Sequence, residues 1–346
     1  MRVTQVVATS TAVPRERPVR DALQTLDTNG ACRVRIETSD GVAGYSVIGF
    51  GRLPAAPQVL AGLINLELGP AVVGEDPALV RGIRDRLWRL TDYHGSTGLA
   101  LLGIAAIDIA LWDLLGRSLG QPVWRLLGGA RDRVPAYAMV GWLDYDTDEL
   151  AERCRRAMAQ GFRGVKMKVG APTLEDDLRR LEVVREAIGE RALLMVDANQ
   201  VFSVKEALRR GRAYEEMGCY WFEEPVPADD EEGLALLVRR LTIPVAAGEN
   251  VYGRRHFRRL LERRAFDIVQ PDLRRAGGLT ECLEVGLMAD AFGIGYASHG
   301  GGAHLHVLAA LSNALFLESG LLAEGERLVD GCRLLPEEPG IGGLHV

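Results

Sequence analysis

Lys166 and Lys168 stand two residues apart in the run VKMKVG, and only one other lysine, Lys205, occurs among the 41 lysines and arginines of the chain. On a strand, residues i and i+2 point to the same side, so the two ammonium groups would share one environment. Crowded cations depress each other's pKa, and a lysine brought toward neutrality can accept a proton, which arginine cannot. Further on, Asp197, Glu223 and Glu249 are separated by two equal steps of 26 residues. Three converging carboxylates repel strongly unless a cation neutralises them. Oxygen ligands without His or Cys suit a hard ion, so one Mg²⁺ per subunit is expected rather than Zn²⁺. Glu223 is preferred to its neighbour Glu224 because it keeps the step. Asp272 and His299 form a second basic group, the carboxylate orienting the imidazole and raising its basicity.

Each of these residues, taken alone, has an ordinary explanation. An acid after a strand is commonly a helix cap or a solvated charge, and a lone histidine is commonly a core or surface group. His94, His256, His304, His306 and His345 are read in that ordinary way. The repeat is what sets the others apart, and it points to the elements that carry them. From about residue 134, short apolar runs alternate with longer charged segments of helical periodicity. The strand candidates are 134–140, 164–169, 193–196, 220–222, 244–247, 267–270, 295–297 and 314–317. Eight strands alternating with helices imply parallel pairing and a closed (β/α) barrel of the TIM type. Asp197, Glu223, Glu249, Asp272, His299 and Glu318 each follow a strand, which gathers them at the C-terminal face where barrel enzymes keep their active sites.

The first third reads differently. Strand-like alternation over 3–13 and 31–50, with a turn at Ser39-Asp40-Gly41, precedes three helical patterns near 57–70, 77–90 and 98–116. The expected organisation is an α+β capping domain over 1–125, the barrel over 126–320, and a Gly/Pro-rich tail over 321–346 that packs back on the cap. Residues 14–30 are expected to form a loop over the site.

Composition removes several classes. A net charge of −6 offers no basic footprint for nucleic acid. The apolar run 98–116 carries Asp108 and Asp113, which favours a buried amphipathic helix over a membrane span. Five scattered cysteines without a Cys-x-x-Cys pair argue against a disulfide framework or zinc site, and a cytoplasmic protein is expected.

The motifs VKMKVG (165–170), VDANQ (196–200), WFEEP (221–225), AGEN (247–250), QPDLRRAGG (270–278) and SHGGG (298–302), with the run IAAIDIALWDLLG (104–116), resemble the mandelate racemase subgroup of the enolase superfamily. The resemblance spans nearly the whole chain. It implies Asp197, Glu223 and Glu249 as metal ligands, Lys168 as a base with Lys166 as its electrostatic partner, and His299 with Asp272 as the opposite base. It further implies that Glu318 hydrogen-bonds an enediolate and that Asn199 contacts substrate. In enolase-superfamily sites a lysine or histidine base works beside Mg²⁺, which stabilises the enediolate, and the resemblance implies the same half-reaction for this chain. Met139 departs from the polar residue expected near the substrate carboxylate, and Gly300-Gly301-Gly302 departs from the bulky residues of the racemase. Val19 and Leu23 in the 14–30 segment and Gly300 are expected to line the substrate pocket.

The expected activity is removal of the α-proton of a small hydroxycarboxylic acid, leading to dehydration of an acid-sugar-type substrate. Racemisation or epimerisation of a 2-hydroxy acid is the alternative, since bases are present for both faces. A non-catalytic metal-binding barrel and a metal-dependent hydrolase are the readings from other classes, the latter lacking histidine ligands in AYAM (136–139). A homo-oligomer is expected.

Overall fold

The computed structural model describes residues 1–95 and 97–343; Ser96 and 344–346, including His345, lie outside the described residues. The chain opens with an antiparallel sheet of three strands in the order β1 (Val3–Arg20), β2 (Thr25–Thr38) and β3 (Ala43–Phe50). Val34, Ile36 and Ile48 alternate toward one buried face, as a half-covered sheet requires. That face packs on the helix Leu99–Leu119. The approach is so close that a Cβ built on Gly44 would fall 2.1 Å from the Ala110 carbonyl oxygen, so a side chain there would force sheet and helix apart.

The helix Leu99–Leu119 is long and apolar enough to cross a membrane, but most of it is buried inside the protein. Its two acids fasten it to its neighbours. Asp108 accepts from Thr280 N at 3.0 Å and Thr280 Oγ1 at 2.5 Å, and burial pushes its carboxyl up to about 7. Asp113 accepts from Tyr45 N and Ile341 N at 2.9 and 2.8 Å.

The expected loop over 14–30 is instead mostly strand. β1 runs to Arg20, and the turn is confined to residues 21–24, closed by Asp21 N to Gln24 O at 3.1 Å and by Asp21 Oδ1 accepting from Leu23 N and Gln24 N. Alternation fails as a signal over 14–18 because that end of β1 is largely exposed on both faces, whereas 25–30 on β2 keeps one buried face through Thr28 and Gly30. Pro14 and Pro18 are tolerated because β1 is an edge strand and owes no second ladder.

The barrel strands are β4 (Arg133–Gly141), β5 (Gly164–Lys168), β6 (Leu193–Asp197), β7 (Trp221–Glu223), β8 (Val245–Ala247), β9 (Ile268–Val269), β10 (Gly295–Ala297) and β11 (Ala314–Ser319). They pair in sequence and in parallel, and β11 pairs with β4 to close the cylinder. The helices that return the chain start cleanly: Asp146, Thr173, Ser203 and Asp230 each accept a backbone N–H three residues on. Within the tail, β12 (Cys332–Leu334) pairs antiparallel with β4, and Gly340 exchanges backbone hydrogen bonds with Gln121 and Val123.

One layer of inward side chains closes the barrel axis. Tyr137, Met195, Trp221, Ala246, Ile268, Ala297 and Phe316 form a separate apolar cluster. Two residues further along β6, β7, β10 and β11 come Asp197, Glu223, His299 and Glu318. Strand alternation thus stacks a ring of charge directly on an apolar plug.

Candidate active site

Register carries the first acids together: Lys168 pairs with Asp197, and Asp197 with Glu223, across three adjacent strands. Glu249 follows β8. Asp197, Glu223 and Glu249 are buried, and each brings one carboxylate oxygen within 4.8 Å of the others. Lys166 is fully buried and donates to Glu223 and Glu318, both at 2.6 Å. Lys168 donates to Asp197 at 2.5 Å and stands 5.4 Å from the centre of the Trp142 ring. On the other side, His299 Nδ1 meets Asp272 Oδ2 at 2.9 Å, leaving Nε2 toward Glu249 Oε2 at 3.1 Å. Asp272 and His299 themselves form an isolated parallel bridge, which continues the barrel pairing past the strand ends.

Charge in this space is unevenly satisfied. Burial pushes Glu223 up to about 8, with Asp197 adding to the rise. Burial also penalises the Asp197 anion, but Lys168 and Lys166 outweigh it and hold that carboxyl down to about 2. Glu318 is held at about 2 against the same penalty by Lys166 and His299. The mutual depression expected of the two lysines acts on Lys168 but is opposed by its carboxylate partner. Burial and Lys166 do lower the Lys168 pKa, but Asp197, in direct contact, outweighs both and raises it. Lys166 is raised further, by Glu223 and Glu318 against burial, and is a fixed cation.

The residues fit a hard cation on their own evidence. Glu249 Oε2 is buried and lies out of line for a hydrogen bond with His299, so it has no donor; Asn199 Oδ1 is likewise buried and unpartnered. Such acceptors are costly unless something positive meets them. All donors in the trio are carboxylate oxygens, the chemistry that Mg²⁺ takes.

Sequence reasoning misses several further partners, although most of them lie within the sequence motifs. Gln270 Nε2 donates to Glu223 Oε2 and to the Tyr137 hydroxyl, both at 3.1 Å, and that hydroxyl donates to Glu318 at 2.7 Å. Arg275 donates to Glu249 Oε1 at 3.1 Å. Glu224, the neighbour passed over on spacing, is buried with both oxygens taken by Asn250 Nδ2 at 2.9 Å. Gln270, two residues before Asp272, falls on the same side of its strand by the i, i+2 rule, but that rule does not mark it, or Tyr137 on β4, as a partner of Glu223 or Glu318. Asp272 turns out to be a helix cap as well, accepting from Arg274 N and Arg275 N at the start of Leu273–Ala276.

The expected substrate-lining residues are dispersed. Gly300 follows His299 at φ 74°, and a Cβ built there meets nothing within 4 Å, so the wall beside the histidine is open. Val19 is buried in the hairpin opposite Leu26, whereas Leu23 is 57% exposed at its turn. The hairpin end does reach the barrel mouth: Leu143 N donates to Arg20 O, and Arg20 N to Asp144 Oδ1, both at 2.9 Å.

A barrel with an oxygen-only cation site flanked by a lysine and a histidine defines the class, and comparison with known proteins agrees. Residues 3–128 match the mandelate racemase / muconate lactonizing enzyme N-terminal domain, and residues 149–343 match the enolase C-terminal domain-like family. The chain is 34% identical to an arabinonate dehydratase of Saccharolobus solfataricus, over 89% of this chain and 86% of that one. Among solved structures it is similar to a racemase from Streptomyces coelicolor A3(2) with bound magnesium, at TM-score 0.92, 32% identity, and coverage of 98% and 96%. It is also similar to L-talarate/galactarate dehydratase from Salmonella typhimurium LT2 liganded with Mg and L-lyxarohydroxamate, at TM-score 0.92, 33% identity, and coverage of 99% and 90%. The chain belongs to the mandelate racemase / muconate lactonizing enzyme family of the enolase superfamily. It is a magnesium-dependent enzyme of that superfamily.

Proposed function

We propose that this enzyme dehydrates an acid-sugar-type hydroxycarboxylate, with Asp197, Glu223 and Glu249 holding Mg²⁺. The observation that carries the reading is the pair of proton-transfer groups on either side of the trio. Lys168 touches Asp197 at 2.5 Å, and His299 stands 3.1 Å from Glu249. Bound magnesium supplies positive charge beside the substrate carboxylate, which acidifies the α-carbon. Lys168 and His299 then divide the work by face. One takes the α-proton; the other, in its protonated form, delivers a proton to the departing β-hydroxyl so that water leaves and the enol becomes a 2-keto acid. The configuration of the α-carbon decides which group does which.

The remaining residues hold charge. Lys166 is fully buried and engaged by both Glu223 and Glu318, which suits it to stabilising developing negative charge. Glu318 is kept in place by Lys166 and Tyr137 and has a second oxygen for the enediolate. Asn199, with its buried unpartnered Oδ1, is assigned to substrate hydroxyl recognition. The open wall at Gly300 gives room for a polyhydroxylated chain. Support for dehydration over inversion comes from the relatives named arabinonate, L-talarate/galactarate and D-galactonate dehydratases.

The test is NMR of the protein with Mg²⁺ in D₂O against a library of aldonic and aldaric acids. Deuterium at the α-carbon together with keto-acid formation is expected. Exchange with inversion and no keto product would establish the racemase reading instead. No exchange with any acid would defeat both.

A further inference from the structure

Arg274 joins the two halves of the molecule at the carboxylate that orients His299. Its Nε lies 3.1 Å from both oxygens of Asp272, and its Nη2 lies 2.5 Å from Oδ2, the oxygen that also meets His299 Nδ1. The third nitrogen, Nη1, donates to the Gly49 carbonyl at 3.3 Å, on β3 of the N-terminal sheet. The turn that follows β3 is tied to the hairpin in its own right: Thr28 N donates to Gly51 O at 3.1 Å, and Arg52 Nη1 to Gln24 Oε1 at 2.9 Å. The hairpin end is fastened in turn to the segment after β4 through Arg20. The N-terminal unit therefore grips the barrel mouth at two places, and one of the two grips runs through the His299 carboxylate. The hairpin also meets the lysine side, where Leu143, next to Trp142, donates to Arg20 O and a Cβ built on Gly170 would fall 2.7 Å from Ala22; Lys168 itself is held by Asp197 and Trp142, outside the Arg274 fork.

We propose that Arg274 is a positioning residue that holds the Asp272–His299 pair in its working orientation by tying Asp272 to the N-terminal sheet, and that it acts on this base and not on Lys168. Two amides, Arg274 N and Arg275 N, hold Asp272 Oδ1 at 2.8 and 2.9 Å and persist in any side-chain variant. Apart from His299, Oδ2 takes its hydrogen bonds from the Arg274 guanidinium. Losing that fork frees the oxygen to follow the imidazole rather than direct it. A planar guanidinium can grip a carboxylate and reach a carbonyl at once; a lysine ammonium supplies the charge without the fork.

This inference rests on His299 acting as a base, and its test separates the two. Arg274→Met and Arg274→Lys would be compared for α-deuterium exchange on epimeric acid sugars that present the α-proton to the His299 face or to the Lys168 face. Arg274→Met is expected to slow exchange on the His299 face by about 10–100-fold, in kcat rather than KM, and on the Lys168 face by about 3-fold or less. Arg274→Lys is expected to fall between. Equal losses on both faces, or no loss, would overturn the proposal.

A second readout needs no substrate. In the Mg²⁺-loaded protein with ¹⁵N-labelled histidine, the hydrogen-bonded Nδ1–H of His299, assigned by its loss in His299→Asn, is expected far downfield in the parent and exchange-broadened in both variants. An unchanged resonance in the variants, or none in the parent, would overturn the proposal whatever the exchange result. A parent with that resonance but no α-exchange would defeat the proposed reaction and leave the positioning role standing.

Discussion

Where the N-terminal unit meets the barrel, Arg84 donates to Glu281 at 2.5 Å, to Glu284 at 3.1 Å and to Asp85 at 2.9 Å, while Arg254 reaches the same two glutamates from the barrel side. At the barrel mouth, Asp197, Glu223, Glu249 and Glu318 crowd round Lys166 and Lys168. Both clusters remove charge from water, and they resolve it differently. At the seam, Nη1 of Arg84 and Nη1 of Arg254 are each shared between Glu281 and Glu284, and Glu281 also caps a helix through Arg254 N at 2.7 Å. At the mouth, compact ammonium groups are used, and Glu249 Oε2 and Asn199 Oδ1 are left without donors. A cluster that satisfies its own hydrogen bonds is structural glue; one with acceptors to spare is suited to a cation and a substrate.

The sharpest way to break this contrast is to remove a mouth base. Lys168→Ala and His299→Asn are each expected to lower kcat by about 10³-fold or more while leaving Mg²⁺ affinity within a few-fold. Steady-state kinetics alongside titration calorimetry would check both, and full turnover in either variant removes that residue from the base role. Next in size is the ligand set. Glu249→Gln should weaken Mg²⁺ binding by at least about 10-fold, and an unaltered dissociation constant by calorimetry would count against the trio. The smallest effect on chemistry is expected at the seam. Glu281→Gln should cost about 2–4 kcal/mol of unfolding free energy with Mg²⁺ affinity and kcat retained. Lost metal binding with intact stability would show that the two clusters are not separable in this way.

Much of the barrel is legible in the chain because its chemistry repeats with its architecture. The 26-residue step works as a ruler: one strand and one helix consume about the same length each time, so equal spacing in the chain becomes adjacency round the mouth. The eight strand candidates lie within a residue or two of the observed ones. The hairpin is less legible, since 14–18 is exposed on both faces and the residues that 25–30 buries, Thr28 and Gly30, carry no apolar side chain, so 14–30 reads as a loop. Gln270 and Tyr137 stay hidden for a related reason. They carry no unusual charge, and their significance comes from hydrogen bonds across the barrel that no local pattern announces. Spacing reveals the lysine pair but not the carboxylate beside it, and Asp197 in direct contact opposes the depression that the neighbouring lysine exerts on Lys168.

The aromatic plug under the charged ring has a consequence for traffic. With Tyr137, Trp221 and Phe316 filling the axis, the reaction chamber has no rear exit. Traffic is therefore confined to the C-terminal end of the barrel, where the hairpin end meets Leu143 and Asp144. The hydrogen bonds at Arg20 and Gly49 hold the N-terminal unit at that same end of the barrel.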